Sequence, residues 1–223
     1  MLNISTRSDQ PESHEERPED EFANLVTHGI GFIITIPATI SLMNLVIHDE
    51  RKNLIVACAV YSFTLVALYG ASTLSHLFYD LSWRRFFRTL DQVCIFLLIA
   101  GSFTPFSVTF LNHGWWLLLS VSMWILAFLG IIQVIRVKHL GPVSKTIYLI
   151  LGWLPVITLK VLYDSMPLSI LIWILAGGLF YSAGTLFLKM GDKYKYFHAL
   201  WHAFVIAGST CHYIAILLLV ILK

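Results

Sequence analysis

Charge is what this chain has least of. Only 13% of its 223 residues are Asp, Glu, Lys or Arg, against 57% hydrophobic. That balance excludes an ordinary soluble domain and points to an all-α protein that crosses a membrane several times. Cysteine is scarce as well. Cys58, Cys94 and Cys211 are odd in number and fall inside apolar runs, so they imply no disulfide framework and read as reduced core residues. No basic patch is interleaved with exposed aromatics, which argues against nucleic acid as a partner. The N-terminus lacks the basic, apolar, small-residue succession of a cleaved signal, so none is expected. An internal repeat is also missing, which leaves an inverted-repeat transporter without support.

The charge that is present is unevenly placed. Residues 1–21 carry seven acids against Arg7 and Arg17 and read as a short, acidic, disordered cytoplasmic tail. Residues 22–223 read as one membrane domain of seven apolar spans, each near the ~20 residues that cross ~30 Å of hydrocarbon. The spans fall at about 26–47, 54–79, 92–110, 115–135, 143–163, 168–188 and 197–222. Pro37, Pro105 and Pro155 lie within spans and predict kinks. Pro142 and Pro167 suit helix starts, where no backbone donor is lost. Gly177, Gly178 and Gly184 permit close helix approach. Trp83, Trp115, Trp116, Trp153 and Tyr163 fall near span ends, as interfacial aromatics do.

Lys and Arg give the orientation. The tail and the loops at 80–91, 136–146 and 189–196 hold eleven of them, and the opposite set holds four. The richer side belongs inside, so the N-terminus is expected in the cytoplasm and the C-terminus outside, in a multi-pass protein of the cell membrane.

In that topology the unusual polar residues gather at one leaflet. His198 and His202 stand four apart in F-H-A-L-W-H-A-F, so one helix face presents both to a single ion. Ser72 and His76 end the second span, and Asp91 opens the third. Any one of these histidines alone reads as a hydrogen-bonded interfacial residue. Together, His76, His198 and His202 match the ligand number of a catalytic zinc site with water in the fourth position. Cobalt or iron would accept the same imidazoles. Asp91 is then expected to hold that water and accept its proton, and Ser72 to orient a ligand or a substrate carbonyl. Glu21, Asn24 and His28 are expected to close the mouth of the site or cap the first helix. His212 lies ten residues beyond His202, roughly 15 Å deeper along the helix, and is expected to satisfy a packing hydrogen bond.

The stretches E-F-A-N-L-V-T-H-G-I-G (21–31), S-T-L-S-H (72–76), D-Q-V-C-I-F-L-L-I-A-G-S-F-T-P-F (91–106) and H-A-L-W-H-A-F-V-I-A-G-S (198–209) resemble the hemolysin III family of bacterial membrane proteins. That family is similar to the progestin and adiponectin receptor (PAQR) family. The resemblance runs from the first span to the last. It implies a seven-helix fold with an inside N-terminus and zinc held by His76, His198 and His202. It also implies Asp91 at the metal's water and Ser72 beside the site. The wider group implies hydrolysis of a lipid amide or ester, as in alkaline ceramidases, whereas the hemolysin name implies a pore-forming cytolysin. A sensor or regulator of membrane state, using zinc structurally, is the third reading. Membrane lipid is the expected partner in all three.

Overall fold

A computed structural model of the chain describes residues 18–137, 142–191 and 193–222. Among these, every regular element is helical and none is a strand. The first helix, α1 (Pro18–Val46), opens with a proline that has no N–H to leave unbonded. Glu19, Asp20 and Glu21 follow in its first turn, facing the partial positive charge of the helix end. Residues 18–21 are therefore helical, where the sequence suggested tail. The rest of that expected tail, 1–17, lies outside the described residues.

Helix α2 (Lys52–Leu77) precedes α3 (Leu81–Phe110), which starts eleven residues before the expected position 92. Asp80 explains the early start, because its carboxylate accepts from the N–H groups of Ser82 (2.9 Å) and Trp83 (3.1 Å). The turns carrying Arg84, Arg85 and Arg88 are too charged to register as an apolar span, yet they continue the same helix. Next come α4 (Trp116–Val137), α5 (Pro142–Trp153), α6 (Leu159–Ser165), α7 (Leu168–Met190) and α8 (Phe197–Ile221). A 3-10 segment, Leu154–Thr158, joins α5 to α6 around Pro155. Proline removes one hydrogen bond and crowds the preceding turn, so the kink expected there is a local change of helix type. Pro37 and Pro105 sit inside unbroken helices.

Among the described residues, seven helical segments are long and apolar enough to cross a membrane, the fifth being the composite Thr146–Ser165. Neighbours close into a ring, α1 to α2, α3, α4, α5, α7, α8 and back to α1, with α3 leaning inward to touch α5, α6 and α8. Side chains such as Leu42, Tyr61, Phe96, Phe106, Ile170 and Ile216 fill the interior. Ile33, Phe63, Leu118, Phe128 and Leu179 point outward and are exposed. A bundle that is apolar on both its inner and outer faces has hydrocarbon as its natural solvent. The three cysteines are free and buried, as composition suggested.

Two consequences bear on the site. Helix α1 lies between α2 and α8, so its first turns reach the region where those two helices bring their histidines. Trp153 is not interfacial. It falls midway along the fifth span and donates its Nε1–H to Ser182 Oγ on α7 at 2.8 Å.

Candidate metal centre

The end of α2 and the start of α8 converge. Ligand atoms of His76, His198 and His202 lie within 4.8 Å of one another. Ring centroids stand 5.5 Å apart for His76 and His198, 5.2 Å for His76 and His202, and 4.6 Å for His198 and His202. The i,i+4 spacing puts the last two on one helix face, and α8 docks so that this face meets His76. His76 and His202 are buried, and His198 is half-buried at the rim.

Helix α1 fixes two of these rings. Glu21 Oε2 lies 2.8 Å from His76 Nδ1, and Glu21 is itself flanked by Arg88 at 3.5 Å and Arg84 at 3.8 Å. A carboxylate only accepts, so Nδ1 of His76 carries the proton and Nε2 keeps its lone pair. Thr27 does the same for His202. Its hydroxyl donates to the carbonyls of Ala23 and Asn24, both at 2.9 Å, which leaves Oγ1 as acceptor for His202 Nδ1 at 3.1 Å. Nε2 of His202 then keeps its lone pair. Three imidazoles that converge in this way, two of them with the outer N–H already bonded, have the donor set of a zinc site. The residues present therefore fit a metal ion.

Asp91 stands outside the three-histidine cluster. It is half-buried on α3, with Ser72 and His76 as its polar neighbours. Ser72 is fully buried and its Oγ lies 2.6 Å from His28 Nδ1. His28 is 3% exposed and stacks on His202, with centroids 3.6 Å apart and planes 19° apart. Its Nε2 is buried without a hydrogen-bond partner. His28 is thus well inside the site, where the sequence put it at the mouth. The physical reason is the insertion of α1 between α2 and α8. Asn24, one turn earlier, is also buried, and its Oδ1 lacks a partner. Of the three residues expected at the mouth, only Glu21 sits near the surface, and it is bound to His76.

A cavity of about 150 Å³ adjoins the cluster. His28, Asp91 and His202 line it at one end, and Leu98, Phe103, Val205 and Leu171 line its length. On α3 the lining runs from Asp91 to Phe106, fifteen residues or about 22 Å of helix. The site therefore opens on a long apolar channel inside the bundle. Thr27, Arg84 and Arg88 carried no signal in the sequence beyond their types. A threonine three residues after an asparagine looks like ordinary back-bonding to the helix.

Comparisons with known proteins identify the family. A family model described as "Haemolysin-III related" matches residues 17–213. The chain is 37% identical to "Hemolysin-3" of Bacillus cereus over 209 residues, 91% of this chain and 93% of that protein. It is 34% identical to "Hemolysin-3 homolog" of Bacillus subtilis (strain 168), covering 89% of this chain and 93% of that one. The human "Monocyte to macrophage differentiation factor" is 27% identical over 208 residues, 87% of this chain and 82% of that protein. No solved structure matches the chain. With the seven apolar helices and the histidine cluster at one end of the ring, these likenesses make the chain a member of the haemolysin III family.

Proposed function

We propose that this protein is a metal-dependent hydrolase of a lipid amide or ester, with zinc as the resident metal and the N-terminus on the cytoplasmic side. The observation that carries the reading is the three-imidazole cluster at the end of a long apolar cavity. His76, His198 and His202 hold the metal. When bound there, zinc supplies Lewis acidity and brings the pKa of a water toward ~7, so that hydrolysis runs at neutral pH. Asp91, lining the cavity beside His28 and His202, accepts the proton from the attacking water. His28, at the end of the cavity, orients the scissile group, and Ser72 behind it fixes the imidazole by a hydrogen bond to Nδ1. Leu98, Phe103 and Val205 exclude bulk water and receive the hydrocarbon chain.

The first test is metal content of the purified protein by mass spectrometry. Wild type is expected to carry one zinc per chain, and His76→Ala or the His198→Ala/His202→Ala double variant to carry none. Stoichiometric zinc in the double variant would remove the site. Metal-loaded wild type is then assayed on a panel of lipid amides and esters, where Asp91→Asn is expected to keep zinc and lose turnover by 10²-fold or more.

The name of the Bacillus cereus relative, Hemolysin-3, favours a second reading, a pore-forming cytolysin. A pore calls for polar side chains along the length of a conduit. Here the cavity wall beyond the histidines is mostly Leu, Ile, Val and Phe. Dye release from liposomes by metal-free protein would turn the balance toward the pore.

A further inference from the structure

The first turn of α1 holds on to both sides of the histidine cluster. Glu21 reaches the side made by α2 and α3, where it meets His76, Arg84 and Arg88. Glu19 and Asp20 reach the other side, the segment that leads into α8. Glu19 pairs with Lys195, and Asp20 Oδ1 accepts the Tyr196 N–H at 3.1 Å. The turn therefore spans the gap between α2 and α8 at the height of His76 and His198.

The two grips differ in kind. The Glu21 side chain is 14% exposed and lies among two arginines and an imidazole. The side chains of Glu19 and Lys195 are 67% and 45% exposed, so their pair is weak and screened by salt. The N–H groups of a first helical turn have no partner within the helix, so a helix frays from that end. Tyr196 is left-handed at φ 63°, where a tyrosine stays only if its surroundings hold it. The bond to Asp20 is one such restraint, and the Lys195 ammonium 4.9 Å from the centre of its ring is another. His198 follows two residues later and is half-buried, whereas His76 and His202 are buried. The looser grip thus stands beside the ligand nearest to solvent.

We propose that Glu19 and Asp20 latch the first turn of α1 beside His198, as positioning residues for that ligand, and that the metal ion enters and leaves when the latch opens. The inference rests on the metal reading of the cluster and adds to it the route and the control of exchange. The Glu19–Lys195 pair and the Asp20–Tyr196 bond engage no ligand nitrogen, so they hold the empty and the loaded protein alike. A change that favours neither state alters uptake and release by the same factor and leaves the affinity as it was. Glu21 and Thr27 act differently, because they bear on the ligand nitrogens themselves.

The test is zinc exchange by the full-length protein in nanodiscs, followed as release to excess chelator and as uptake by the stripped protein. The Glu19→Ala/Asp20→Ala variant is expected to release and to take up zinc about tenfold faster than wild type, at unchanged equilibrium affinity. Glu19→Gln removes only the exposed pair and is expected to abolish the acceleration that added salt brings to wild type. A short bismaleimide joining the two thiols of Glu19→Cys/Lys195→Cys ties the turn down, since the three native cysteines are buried. That crosslink is expected to slow both rates by about tenfold or more. Exchange that ignores the crosslink or the double substitution, or a double variant that loses affinity while its uptake rate stays the same, overturns the latch and leaves the metal site standing. A wild-type protein that binds no zinc overturns both.

Discussion

Glu21 and Thr27 do at α1 what a metal site needs done behind its ligands. Each accepts a hydrogen bond from the Nδ1–H of one histidine and so decides which nitrogen presents its lone pair. Replacing Glu21 by Gln keeps the shape but lets the amide donate as well as accept, which unfixes the tautomer of His76. Thr27→Val keeps the β-branched volume and removes the acceptor for His202. Either change is expected to weaken zinc binding by about 10- to 100-fold, read by chelator competition at neutral pH, with the helical content unchanged. Thr27→Ser retains a hydroxyl and is expected to bind zinc nearly as wild type. An affinity untouched by both Glu21→Gln and Thr27→Val would show that α1 merely packs against the site. His28 differs in kind: it stacks on His202 and bonds Ser72, and its buried Nε2 has no hydrogen-bond partner.

Individual helices owe their positions to a few local devices. Asp80 caps α3 and carries it through the arginine-bearing turns that bring Arg84 and Arg88 to Glu21. Asp80→Ala is expected to cost about 1 kcal/mol and to lower the thermal midpoint in detergent by a few degrees. Helices α7 and α8 touch closely because Gly184 has no side chain. A Cβ there would come within 2.8 Å of Phe204 Cβ and of Trp201 Cε3, both on α8. Gly184→Val forces the two helices apart, and a destabilisation of about 1–3 kcal/mol is expected in thermal unfolding. The start of α1 is tied to the approach to α8: Glu19 pairs with Lys195, and the Tyr196 N–H donates to Asp20 Oδ1 at 3.1 Å. These ties set α1 in register with His198, two residues further on. A span search sees none of this, because it averages hydropathy and so blurs the single carboxylates and glycines that fix where a helix starts and how near it packs.

At the scale of the whole molecule, the ring of seven spans makes a protein whose outer face belongs to lipid and whose inside holds an elongated cavity. On the proposed orientation, which rests on the Lys and Arg distribution, the histidine end faces the cytoplasmic leaflet. A fluorescent protein fused before residue 1 is expected to be bright, and alkaline phosphatase fused after Lys223 is expected to be active. The reverse pattern would turn the site to the outer leaflet and change the substrate pool it samples. Chelation is expected to lower the midpoint of thermal unfolding, since a ligand held by α2 and α8 stabilises the folded state alone.

The sequence by itself determined the solvent of this protein and the members of its histidine cluster. Seven runs of about twenty apolar residues have no stable alternative to spanning a bilayer, and a four-residue spacing on a helix is a spatial statement. His76 could be added because topology assigns the ends of spans to leaflets. What only the tertiary structure decided is everything that depends on which helix stands beside which. The insertion of α1 between α2 and α8 moved His28 from the mouth to the interior and made Thr27 a partner of a histidine 175 residues away. The same packing put Trp153 in the cavity wall and left His212 with an unmet nitrogen. Hydropathy and spacing are properties of one helix, whereas hydrogen-bond partners across a bundle are properties of pairs, and no single stretch of chain encodes them.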